Sequence, residues 1–138
     1  MYKIAIPVNN KKLTDSQKER LVRELKKADP QIVMLIHDRI LRDAKAKALE
    51  HEHFVENKAF LEANGFTVGA WVVPTIGYGN PYYFDHDAPY TKIHTLKGNG
   101  DTIPGAYCPL CEEFAEELCG IFEQVAKSGV KHILLEDD

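Results

Sequence analysis

The chain has 138 residues, 44% hydrophobic and 28% charged, with a net charge of -4. That length suits one domain with its own core, and the composition is that of a globular protein rather than a disordered or fibrous one. The acidic balance excludes nucleic acid as an expected partner, since that requires a clustered basic face.

Lysines and arginines do gather between Lys11 and Lys27, but they alternate with Asp15, Glu19 and Glu24, as on a solvated helix. No apolar run reaches bilayer length, and Met1 to Val8 has neither the apolar length nor the cleavage pattern of a secretory signal. A cytoplasmic protein without membrane contact is expected. Three cysteines, an odd number, suit reduced thiols better than a disulfide framework.

Lys3 to Val8 reads as a short apolar strand closed by Asn9-Asn10. Thr14-Asp15-Ser16-Gln17 has capping-box spacing, in which the Thr14 hydroxyl accepts from the Gln17 amide and the Gln17 side chain reaches back. Leu21, Val22, Leu25 and Ala28 recur at helical spacing, and Asp29-Pro30 ends the helix, because a residue before proline is pushed out of the helical region. Gln31 to Ile36 is a second strand of the buried type, running into His37-Asp38-Arg39.

A long helix follows from about Arg42 to Asn64, with Ala48, Phe54, Val55 and Leu61 as its apolar stripe and Gly65 as a C-cap signal. His51 and His53 are two apart, so they point to different sides of that helix and are expected at its surface. Val68 to Val73 is the third strand, and Pro74, unable to donate to a sheet ladder, marks its end.

Residues 77–107 then form a long excursion of the kind that makes a lid or a binding loop. Within it, alternation from Thr91 to Leu96 and the turn-like Lys97-Gly98-Asn99-Gly100-Asp101 suggest a small hairpin. Pro109 suits the first turn of the next helix, whose stripe is Phe114, Leu118, Phe122, Val125 and Ala126, and Ser128-Gly129 stops it. Ile133-Leu134-Leu135 is the last strand, and the acids Glu136, Asp137 and Asp138 follow it.

The fold expected is therefore α/β, with four parallel strands alternating with three helices in a single domain, residues 1–138. Helices are expected on both faces of the sheet. Ligands of parallel sheets bind beyond the carboxyl ends of the strands. Three polar groups belong there: His37-Asp38-Arg39, the loop beginning at Thr75, and Glu136-Asp137-Asp138. Along a strand Glu136 and Asp138 share one direction while Asp137 points the other way. A carboxylate against an apolar wall serves as a general acid, while a solvated neighbour stays ionised.

In the long loop, Tyr78, Tyr82, Tyr83, Phe84 and Tyr90 are interleaved with Asp85, His86 and Asp87. Aromatic faces beside carboxylates suit a polyhydroxylated ligand. The expected substrate-binding set is His37, Asp38, Arg39, Trp71, Tyr78, Tyr82, Tyr83 and His86. No metal or cofactor is expected, because Asp85-His86-Asp87 has no second ligand cluster.

Cys108-Pro109-Leu110-Cys111 opens a helix, where a thiolate is favoured, so a redox dithiol is an alternative reading. The pattern resembles the Cys-Pro-x-Cys of glutaredoxins. Against it, Asn99 to Tyr107 reads as Gly/Pro-rich loop rather than as a strand entering the motif, and no later proline-led strand faces it. Packing cysteines are the plainer reading.

The stretches Leu61-Glu62-Ala63-Asn64-Gly65-Phe66-Thr67-Val68-Gly69-Ala70-Trp71-Val72-Val73-Pro74-Thr75-Ile76-Gly77, Cys108-Pro109-Leu110-Cys111-Glu112-Glu113-Phe114 and Ile133-Leu134-Leu135-Glu136-Asp137-Asp138 together resemble the first half of a (β/α)8 barrel of the glycoside-hydrolase-like type. The resemblance implies acid/base hydrolysis of a glycosidic bond, with Glu136, Asp137 or Asp138 as the catalytic acid/base and a carbohydrate as substrate. Such hydrolysis needs a second carboxylate about 5–5.5 Å away for retention or about 6.5–9.5 Å for inversion, usually from a late strand. The chain is thus expected to be an inactive half barrel that self-associates or pairs with a missing carboxyl-terminal half. A non-catalytic sugar-binding half-domain is a further alternative.

Overall fold

The computed structural model describes residues 4–38, 44–73, 92–94 and 102–135. Its elements in order are β1 (Ala5–Asn9), α1 (Asp15–Ala28), β2 (Ile32–Asp38), α2 (Ala44–Ala63), β3 (Val68–Val73), β4 (Lys92–His94), β5 (Thr102–Tyr107), α3 (Glu112–Lys127) and β6 (Ile133–Leu135). The protein is α/β, with four parallel strands in the order β1-β2-β3-β6 and three helices. The arrangement is consistent with half of an α/β barrel.

The strand order decides where the helices go. Each strand is added on the same side of the one before it, and right-handed crossovers that always step one way place every helix on one face. Packing agrees. Val33 and Leu35 of β2 lie in register with Ile6 and Val8 of β1 and with Val68 and Ala70 of β3. These side chains share one face, and they form one core with Leu25 of α1, Phe54 and Leu61 of α2 and Val125 of α3. Helices on both faces, the expectation from alternation alone, are therefore replaced by a one-sided cover. Alternation shows that strands and helices take turns; it does not show which neighbour each strand chooses.

Local chemistry sets the element ends. The Gln17 amide donates to Thr14 Oγ1 at 3.3 Å, and the Thr14 amide donates to Gln17 Oε1 at 2.9 Å, completing the capping box of α1. Asp29 closes α1 in the left-handed region at φ 48°, which a short polar side chain tolerates. Gly65, just past α2, has φ +90° and works as its C-cap.

Gly69 is needed for a different reason. A Cβ there would lie 2.9 Å from the His132 carbonyl oxygen and 2.6 Å from Met34 Sδ. That carbonyl accepts from the Ala70 amide at 2.9 Å, which is how β6 is seated on β3.

Residues 102–107, expected as loop, form β5. It pairs antiparallel with β4, Lys92 opposite Tyr107 and His94 opposite Thr102. Pro104 and Gly105 hid the strand from a sequence reading, but a two-stranded ribbon is all edge, where a missing N–H is tolerated. The ribbon enters Cys108 directly, and Tyr107 is buried against Phe114 of α3, ring centroids 5.3 Å apart.

Candidate functional site

All four parallel strands run the same way, so Asn9, Asp38, Val73 and Leu135 end at one rim of the sheet. Two polar clusters occupy that rim on the side of α2, and a third group lies on the opposite face.

The first cluster ties the end of β1 to α2. Asn57 Nδ2 donates to Asn10 Oδ1 at 3.0 Å and to the Lys11 carbonyl at 2.9 Å. Asn10 Nδ2 donates in turn to the Glu50 carbonyl at 2.8 Å and to Glu50 Oε1 at 3.0 Å. Both asparagines are buried. A buried amide has to be satisfied, and here each serves the other.

The second cluster joins His37 of β2 to His51 and Phe54 of α2. The His37 ring centroid is 6.0 Å from that of His51 and 5.5 Å from that of Phe54, edge to face. His37 is buried, and neither of its ring nitrogens has a hydrogen-bond partner among the described residues; the same holds for His51 Nδ1. Burial, with some help from the neighbouring His51, holds the His37 pKa down to about 4, so the imidazole is neutral. Burial lowers His51 as well. A neutral imidazole with an unused donor and acceptor at the carboxyl end of a parallel strand is a candidate recognition group.

Trp71 faces the other way. It lies in register with Ile36 and Leu134, one position out of phase with His37, which pairs with Val72. The indole therefore shares with Ile36 and Leu134 the face opposite the three described helices, half-buried, and its Nε1 has no hydrogen-bond partner among the described residues. The structure thus brings His37 and Trp71 to neighbouring strands but to opposite faces.

Of the other expected site residues, Asp38 is described only as backbone, at the last position of β2. Arg39, Tyr78, Tyr82, Tyr83, His86, Glu136, Asp137 and Asp138 lie outside the described residues. Glu136 is the residue after Leu135, the last of β6.

Sequence reasoning missed Asn10, Glu50 and Asn57 as site residues, and it placed His51 at the helix surface, whereas its ring packs against His37 and Phe54 with Nδ1 buried. The buried positions of α2 are Phe54, Asn57 and Leu61, and Val55, counted in the stripe, is 44% exposed. Spacing of three and four from Phe54 gives the right stripe, and it carries Glu50 and His51 one turn earlier. The signal was present but pointed to polar residues.

A groove of about 630 Å³ between α1 and α2 is lined by Lys18, Val22, Lys26, Phe60 and Asn64. Lys18 Nζ sits 5.4 Å from the Phe60 ring centroid. The groove is on the outer helical surface, formed without any residue of the strand ends. No group of three or more His, Cys, Asp or Glu side chains able to hold a metal occurs among the described residues. No described helix is long and apolar enough to cross a membrane.

Fold and site together define an α/β protein with four parallel strands and three helices, with the two buried polar clusters at the carboxyl rim of its sheet. No protein family model, no curated protein and no solved structure matches the chain.

Proposed function

We propose that this chain is the amino-terminal part of a glycoside-hydrolase-like (β/α)8 barrel, acting on a carbohydrate at the carboxyl rim of its sheet. The observation that carries the reading is the one-sided winding. Four strands in sequential order, with three helices on a single face, leave Trp71 on the face that a barrel turns inward.

An indole offers an apolar plane for the C–H face of a pyranose and one N–H for a hydroxyl. Glu136, Asp137 and Asp138 follow the carboxyl end of β6 in sequence, where barrel enzymes carry catalytic groups. In this proposal one of them is the general acid/base. Asp38, Arg39, Tyr78, Tyr82, Tyr83 and His86 contribute to holding the sugar, whereas His37, buried on the face opposite Trp71 against His51 and Phe54, is not placed to join them.

Trp71 is the sole tryptophan, so its emission reports on that face without labelling. Titration with neutral α- and β-linked hexose oligosaccharides is expected to give a saturable change in emission with at least one of them. Flat emission across the set would defeat the proposal. Glu136→Gln, Asp137→Asn and Asp138→Asn separate an enzyme from a sugar-binding domain, because in an enzyme at least one of them abolishes hydrolysis while leaving affinity in place, and a binding domain has no hydrolysis to lose.

A further inference from the structure

Cys108-Pro109-Leu110-Cys111 has no part in the sugar-site reading, and its setting in the fold differs from what the sequence suggested. The Cys111 amide donates to the Cys108 carbonyl at 3.0 Å, so the four residues close a hydrogen-bonded turn. Such a turn brings its first and last Cα within about 7 Å, where a disulfide spans about 4.4–6.8 Å. The turn is clamped on both sides. Tyr107, the residue before it, is buried against Phe114, which lies three residues beyond it and is fully buried. Its tip stands in solvent: Leu110 is 88% exposed, and both cysteines are partly accessible.

One neighbour differentiates the two thiols. Cys111 Sγ donates to Glu113 Oε2 at 3.2 Å, and the Glu113 carboxyl is held below its usual range by its own backbone amide and by that thiol. The third cysteine is out of reach of Cys111. Cys119 lies eight residues along α3 from Cys111, a rise of about 12 Å, beyond the reach of a disulfide within one straight helix.

We propose that Cys108 and Cys111 are a reversible dithiol/disulfide pair that exchanges with small-molecule disulfides. Cys108, as thiolate, attacks one sulfur of the disulfide RSSR, forming a mixed disulfide and expelling one RS⁻. Cys111 releases its proton to solvent and attacks Cys108 Sγ, which forms the Cys108–Cys111 bond and expels the second RS⁻. The protein gives up two electrons and two protons, and RSSR becomes two RSH. Glu113 is a positioning residue: its carboxylate accepts from Cys111 Sγ and keeps that thiol protonated until Cys108 has reacted.

The test uses the full chain in mixtures of reduced and oxidised glutathione, quenched with an alkylating agent and read by intact mass and peptide mapping. The expected product is a monomer lighter by two hydrogens, in which Cys108 and Cys111 escape alkylation and Cys119 does not. Cys119→Ser should oxidise as the native chain does. Cys111→Ser should stop at the glutathione adduct on Cys108, and Glu113→Gln, which removes the charge that holds Cys111 protonated, should shorten the lifetime of that adduct severalfold in the native-cysteine background. Circular dichroism checks that each variant is folded. The proposal is overturned if both thiols stay alkylatable in fully oxidised glutathione, if Cys119 enters the bond, or if the only disulfides formed join separate chains.

Discussion

The imidazoles of His37 and His51 face each other across the β2–α2 contact, ring centroids 6.0 Å apart, both with pKa values pushed down by burial. The folded protein therefore binds fewer protons at these sites than the unfolded chain does. Stability is highest above the unfolded histidine pKa of about 6.5 and is lost as pH falls from there toward the folded value of about 4. The full span for His37 corresponds to about 3 kcal/mol. Urea unfolding at pH 7.5 and pH 5 should show this loss, and His37→Leu should flatten the difference. A stability that does not change between those two pH values would contradict the buried neutral assignment.

The close approach at Gly69 gives a packing prediction. Met34 Sδ can swing away from a new methyl group, but the His132 carbonyl is backbone and is already held by the Ala70 amide. Gly69→Ala should cost about 1–3 kcal/mol in denaturant unfolding, as overpacking usually does. Loss of protection at the Ala70 amide in hydrogen exchange would locate the damage at the β3–β6 pairing.

Asn57 holds the Asn10 side chain and the Lys11 carbonyl at once. Asn57→Ala leaves both acceptors without that donor, and stranding the buried Asn10 Oδ1 costs about 1–3 kcal/mol. Neighbouring Val55 is exposed, and Val55→Ala should change stability by less than about 0.5 kcal/mol. Comparable effects of the two substitutions would show that α2 presents a different face to the sheet.

β6 pairs only with β3 among the described residues, and Ile133, Leu134 and Leu135 are 40%, 46% and 56% exposed. An apolar strand edge of this kind is a template for another strand. The expected behaviour of the 138-residue chain is concentration-dependent self-association, weakened by Leu135→Lys. Light scattering that finds a clean monomer at micromolar concentration in the unmodified chain would contradict it.

Much of the fold was legible in the chain because it is written in local chemistry. The Thr14–Gln17 box, the Gly65 cap and the Val68–Val73 strand each depend on residues within a few positions of one another. The one-sided helix layer was not legible, since it follows from the neighbour each strand selects. β5 was obscured by Pro104 and Gly105, which rule out a central strand but not a ribbon. The stripe of α2 was legible at Phe54 and Leu61 but included exposed Val55 and omitted Asn57, and the spacing of His51 to His53 pointed it to the surface although it lies one turn before Phe54. The rim position of His37 and the strand position of Trp71 could be read, but their placement on opposite faces needed the β2–β3 register.

Amide chemical-shift mapping during an oligosaccharide titration tests the central claim most directly, because it reports which end of the sheet a sugar meets. The expected result is saturable shifts at Asn9, Asn10, Asp38, Val73 and Leu135, with the Trp71 indole moving alongside them. Shifts gathered instead at Ala5, Ile32 and Ile133, the amino ends of the same strands, would contradict a carbohydrate site at the carboxyl rim, as would a spectrum unchanged by every sugar.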